Sequence, residues 1–215
     1  MASLPSIIPL FPLPSLVLFP GITVPLHIFE PRYREMVADV IESHGLIGMV
    51  LLKGEWRDSY YGSPDIFQIG CGAKIGAVKK LEDGRYYIVI EGVSEFRIVR
   101  EIRERSYRQA EVEWCEVKAS EREFDDETMD GLREVLFSYL GDSALEAWRT
   151  LVEERGLRGA DLVNFLSFHL DVQPLEKQTV LEAMHNRADC LIDVLSFKIE
   201  ERRRGGPPSG PDTVQ

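Results

Sequence analysis

The chain has 215 residues, 44% of them hydrophobic and 28% charged, which suits a soluble globular protein with enough length for one large domain or two small ones. Its net charge of −11 repels phosphate backbones and argues against a general nucleic-acid binder. No apolar run approaches the roughly 18 residues that a membrane span needs, so no membrane partner is expected. The charge is unevenly placed. Residues 1–115 hold 13 Lys and Arg against 15 Asp and Glu, whereas residues 116–215 hold 12 against 21.

The N-terminal stretch MASLPSIIPLFPLPSLVLFPG is apolar but lacks a basic n-region and is broken by five prolines before Gly21, so it reads poorly as a signal peptide. The segment FPGITVPLHIFEPRYREMV, Phe19 to Val37, follows. Pro20-Gly21 and Pro25 fix turns around a short extended piece. Pro31 suits the first helical position, where its missing N–H is not needed, and it pushes Glu30 towards an extended backbone. His27 and Glu30 therefore sit on an extended segment beside Phe29 and Tyr33, not on one helical face. A rigid corner is favoured over a metal or catalytic pair, and Arg32 belongs to the same corner. Tyr33, Met36, Val37, Val40 and Ile41 then repeat at helical spacing.

The next signals are β. LIGMVLL, Leu46 to Leu52, is an apolar run of strand length. AKIGAVKK and RYYIVIEG form a hairpin about Asp83-Gly84, closing at Glu91-Gly92. VSEFRIVREI and YRQAEVEWCEV read as two further strands, with Ala110, Val112 and Trp114 alternating against polar neighbours. The glycines of GCGAKIG, Gly70 to Gly76, are expected to permit a bend or bulge.

Near residue 118 the period becomes helical. Leu132, Val135, Leu136, Tyr139 and Leu140 form one stripe ending at Gly141. Leu162, Phe165, Leu166, His169 and Leu170 form another, with His169 read as a partnered core or boundary residue. Pro174 opens a short helix, and Asn186 is the expected N-cap of the last one, whose face is Ala188, Leu191, Ile192, Leu195 and Ile199. Expected boundaries are a β-rich part at 1–117, a helical part at 118–204 and a disordered tail at 205–215.

Neither G-x-x-x-x-G-K-[ST], H-E-x-x-H nor G-x-S-x-G occurs, and the four histidines are scattered. The reading is a non-enzyme with no catalytic residues, no metal and no cofactor. The three cysteines, Cys71, Cys115 and Cys190, suggest reduced thiols in a cytoplasmic protein. Arg97, Arg100, Arg103, Arg105 and Arg108, with Lys79 and Lys80 upstream, are interleaved with Glu95, Glu101, Glu104 and Glu111, which favours an ion-paired strand face over a nucleic-acid stripe. The loop Lys53–Phe67 carries Trp56, Tyr60, Tyr61 and Phe67. Its aromatics either anchor the loop or present contact surface to a partner.

The block PLFPLPSLVLFPGITVPLHIFEPRYREMV resembles the opening of the N-terminal substrate-binding domain of Lon protease. So does IGCGAKIGAVKKLEDGRYYIVIEGVSEFRIVREIRERSYRQAEVEW, and KQTVLEAMHNRADCLIDVLSFKIEE is similar to the family's C-terminal helices. The likeness spans about residues 7–201. It implies an α+β fold, a PUA-like β pseudo-barrel with one inserted helix, followed by a C-terminal helical bundle. Pro20, Gly21, Pro25, His27, Phe29, Glu30, Pro31, Arg32, Tyr33, Asp83, Gly84, Glu91 and Gly92 are then an architectural signature with no chemistry assigned. It also implies a stand-alone module, without ATPase or peptidase parts, that binds unfolded or exposed polypeptide segments in protein quality control. A protease or chaperone is the implied further partner, and the loop aromatics Trp56, Tyr60, Tyr61 and Phe67 are, by their own composition, the candidate peptide-contact residues. The alternative is an RNA-binding PUA-like protein that uses the arginine-rich strand.

Overall fold

A computed structural model of the chain describes residues 4–57, 60, 62–115 and 123–205. The chain packs as two compact units, Met1–Glu116 and Val117–Gln215.

The first unit holds six described strands: β1 (Ile7–Leu13), β2 (Thr23–Ile28), β3 (Leu46–Leu51), β4 (Ile69–Lys80), β5 (Tyr86–Ile102) and β6 (Gln109–Trp114), with helix α1 (Pro31–Ile41) after β2. Their order in the sheet is β2-β5-β4-β3-β1-β6, with a further β5–β6 pairing. Pairing therefore runs from β5 through β4, β3, β1 and β6 back to β5. Only β1–β3 is parallel.

Strand β5 is one element of 17 residues, whereas the sequence reading divides it at Glu91-Gly92. Gly92 fits a close backbone approach and not a chain reversal. It donates its N–H to the Ile22 carbonyl at 2.9 Å and accepts from Gly21 N–H at 2.8 Å. A Cβ there would run into the Phe19 carbonyl. Strand β1 is the other departure, because Pro9 and Pro12 mark its segment as broken. Pro9 faces only Gln109 of β6 and Pro12 faces only Val50 of β3, so each proline lies where β1 has one neighbour and one hydrogen-bonding side is open.

The core cluster is Ile8, Leu10, Val50, Leu52, Ile66, Phe96, Ile98, Ala110 and Val112. Gly48 and Gly70 shape it. A Cβ on either would stand 2.7 or 2.8 Å from the tip of the fully buried Phe96 ring, so the glycines make the space that Phe96 fills. The expected irregularity is present as well, as a register shift between Gly72 and Ala73.

The second unit contains α2 (Asp126–Leu140), α3 (Ala144–Trp148), α4 (Gly159–His169), α5 (Pro174–Glu182) and α6 (Arg187–Arg203), with a π-helical turn at Arg149–Glu154. Asp125 caps α2 by accepting from Thr128 N–H at 2.8 Å, and Gly141 ends it at φ +60°. Pro174 opens α5, and Glu176 accepts from Gln173 N–H at 2.7 Å. Asn186 precedes α6 but makes no side-chain cap bond, because a 3-10 turn over Met184–Asn186 leads directly into the helix. Leu132, Leu162, Val163, Leu191 and Leu195 are fully buried. Among them the Arg187 guanidinium donates to Asn164 Oδ1 at 2.6 Å, and Lys198 pairs with Glu176 at 2.8 Å.

Candidate functional site

Two aromatic clusters flank the β2–α1 corner. The first is closed. Glu30 is extended (φ −66°, ψ 134°) and Pro31 starts α1. The Glu30 carboxylate accepts from the Tyr60 hydroxyl at 2.7 Å and from Arg32 Nε at 3.0 Å. The Arg32 guanidinium lies 4.6 Å from the Tyr33 ring centre and 5.3 Å from that of Tyr60. Trp56 meets Tyr60 edge-on at 5.8 Å, and both half-buried rings pack on the core cluster. Burial, together with the bond to Glu30, pushes the Tyr60 phenol up to about 12. Phe67 is half-buried under Lys53, whose Nζ is 5.6 Å from its ring centre. Tyr61 lies outside the described residues.

The second cluster is open. His27 on β2 stands opposite Tyr87 on β5, which stands opposite Lys79 on β4. The His27 and Tyr87 rings stack at 4.7 Å and 24°. Phe29 is 5.8 Å from His27 and 59% exposed; Tyr87 is 50% exposed. The next row on the same face pairs Pro25 with Val89. On β4 a register shift between Ile75 and Val78 places Gly76 and Ala77 against the one residue Val89. Such a bulge bends its strand. Together the rows enclose a groove of about 370 Å³, also lined by Leu26, Val78 and Ile88.

The remaining signature residues are turn and spacing positions. Gly21 and Gly84 have φ of +78° and +80°, and Asp83 accepts from Arg85 N–H at 3.1 Å within the hairpin. Glu91 is exposed, facing Thr23 and Lys74. Sequence reading did not single out Tyr87, Val78 or Val89. The signal was the alternation in RYYIVIEG, which turns Tyr86, Ile88 and Ile90 inward and so turns Tyr87 and Val89 outward.

Three of the five arginines in and after β5 are engaged with carboxylates; Arg97 and Arg103 make no ion pair among the described residues. Arg100 pairs with Glu111 at 2.6 Å, Arg108 with Glu101 at 2.7 Å and Arg105 with Asp39 at 3.6 Å. His169 is not in a core. It ends α4, exposed, with its ring 4.1 Å from that of Phe165 and 5.0 Å from that of Phe168. Burial, with Lys177 and Arg155 nearby, moves its imidazole below the usual range. In the second unit a larger groove of about 710 Å³ is lined by Phe137, Leu145 and Trp148 together with Arg133, Glu134 and Glu153. Among the described residues no group of three or more His, Cys, Asp or Glu could hold a metal ion. No described helix is long and apolar enough to cross a membrane.

Comparison with known proteins converges on one family. Residues 7–195 match the model of the ATP-dependent protease La (LON) substrate-binding domain. Lon protease 2 of Myxococcus xanthus is 28% identical over 206 residues, covering 92% of this chain and 24% of that protein. Lon protease of Anaeromyxobacter dehalogenans is 26% identical with the same coverage. The chain thus spans about a quarter of the length of these curated relatives. Among solved structures, the Lon N-terminal domain protein from Xanthomonas campestris superposes with a TM-score of 0.62 at 25% identity, covering 87% of this chain and 97% of that one. The N-terminal domain of Mycobacterium avium complex Lon protease gives 0.66 at 19% identity, covering 88% and 98%, a likeness of fold. With its family match running from β1 into α6, this chain belongs to the Lon substrate-binding domain family.

Proposed function

We propose that the chain is a non-catalytic recognition module that binds unfolded or exposed segments of polypeptide and presents them to a protease or chaperone. The observation that carries this reading is the match of residues 7–195 to a domain described as substrate-binding. The open face supports it physically: Phe29, Val78 and Tyr87 are between 39% and 59% exposed, on or beside strands that can lie against an extended guest. The loop aromatics Trp56, Tyr60 and Phe67 contribute through those edges that the core leaves uncovered, and Tyr61 of the same loop belongs to the proposed contact set. The ring of pairings closed by β5–β6 is the PUA-like pseudo-barrel of this reading, with the helical part over 118–204 and the tail after it. The three thiols, none bridged to another, suit a reducing compartment such as the cytoplasm.

The test is titration of the purified chain with fluorescent, reduced and carbamidomethylated α-lactalbumin, against the same protein in its native, disulfide-bonded form. Saturable binding of the unfolded probe alone is expected, changing little between about 50 and 200 mM salt, a range in which a binder of several phosphates loses orders of magnitude. Equal capture of both forms, or of neither, removes the reading. Tighter, steeply salt-dependent capture of RNA replaces it.

A further inference from the structure

The groove across β2, β5 and β4 has a specific chemistry. Its lining is apolar or aromatic except for Lys79, which carries the one fixed charge there, in a chain whose net charge is −11. Lys79 is exposed, and no ion pair among the described residues involves it. Its neighbours on β4 are treated differently. Lys74 faces Glu91 across the strands, and the Lys80 ammonium lies 5.7 Å from the Tyr86 ring centre. Lys79 instead faces the half-exposed Tyr87.

The two rows of the groove are two residues apart on β5, Tyr87 and Val89, a step of about 7 Å. An extended guest presents side chains on one face at the same interval. One row is wholly apolar: Pro25, Val89 and Ala77. The other is His27, Tyr87 and Lys79.

We infer that the groove selects an extended polypeptide segment with an apolar or aromatic side chain and, next along the same face, an aspartate or glutamate. The apolar side chain lies on the Pro25–Val89–Ala77 row, and the carboxylate meets Lys79 beside the Tyr87 ring. The inference rests on the polypeptide-recognition reading above and names the chemistry of its guest. Complementary charge there selects partners more than it adds affinity.

The experiment uses three fluorescein-labelled peptides of glycine and serine that carry Phe-Ser-Glu, Phe-Ser-Gln or Phe-Ser-Lys units, titrated by anisotropy against the full chain. The wild type should bind the Glu probe about threefold tighter than the Gln probe, the size expected of one exposed charge pair. Lys79→Glu should invert the order, placing the Lys probe first. Tyr87→Ser should weaken all three about tenfold, the effect of losing a ring contact of moderate size. Both side chains are exposed, so both variants should keep the wild-type circular dichroism and melting midpoint. Probes that bind wild type, Lys79→Glu and Tyr87→Ser alike overturn this inference and leave polypeptide recognition standing at another surface. Failure of every probe and of unfolded α-lactalbumin overturns both. Self-association that Tyr87→Ser abolishes would assign the face to a second copy of the chain and overturn the inference.

Discussion

The two aromatic clusters beside the β2–α1 corner have similar compositions and opposite surroundings. Trp56, Tyr60 and Tyr33 face a buried sheet and a carboxylate, and every polar atom named there has a partner: the Tyr60 hydroxyl and Arg32 both reach Glu30. His27 stacks on Tyr87 and meets Phe29 at a tilt, over a groove with one lysine in it. An aromatic ring contributes to stability through what covers it and to binding through what does not. The closed cluster should therefore act mainly on folding, and the open cluster mainly on guests.

That contrast can be broken in steps. Gly70→Ala attacks the floor under the closed cluster, since its Cβ would press on the Phe96 ring and the Met49 carbonyl. A loss of about 3 kcal/mol of stability is expected, from overpacking against backbone that cannot move aside. Urea denaturation measures it, and a loss within experimental error would mean that the Phe96 seat is loose. Trp56→Ala removes a half-buried ring from the same floor and should cost about 2 kcal/mol, less than full burial would give. If the unfolding midpoint stays put while peptide affinity collapses, the loop belongs with the open face.

Tyr60→Phe deletes only the hydroxyl bonded to Glu30 and should cost about 1 kcal/mol. It also carries a pH signature. The phenol rises from 10.0 to about 12 on folding, so its contribution is fully present below pH 10 and is lost as the pH climbs through that window. The variant should show a smaller alkaline loss of stability than the wild type, read from urea midpoints measured at successive pH values. Identical alkaline slopes would remove the bond to Glu30 from the account. Tyr87→Ser closes the series, with a stability change within about 0.5 kcal/mol, as befits an exposed site. A loss several times larger would show that the open cluster is itself structural.

Much of this architecture is legible in the residues, and the exceptions have physical causes. Pro31 at the first helical position, the Asp83-Gly84 reversal, and the stripes of α1, α2 and α6 follow from local sterics and periodicity, which a single segment carries within itself, except that Ile41 at the end of α1 is exposed. Strand β1 does not, because prolines are permitted there only by the way two different neighbours share its length. The continuity of β5 through Gly92 depends on the Phe19 backbone, more than 70 residues away in the chain. The candidate site divides along the same line. The aromatics of the Lys53–Phe67 loop stand out in the sequence by composition, but nothing local says whether they face inward. Tyr87 is hidden inside a run that reads as ordinary strand, and its partners His27 and Lys79 reach it only through cross-strand register.

We propose that polypeptide is taken up on the open face. Amide chemical-shift mapping of the labelled chain during titration with unlabelled, unfolded α-lactalbumin tests it most directly. Saturating shifts should concentrate at His27, Phe29, Val78, Lys79, Tyr87 and Val89, with smaller ones at Trp56, Tyr60 and Phe67. Shifts confined to the second unit, or none at saturating probe, would contradict it.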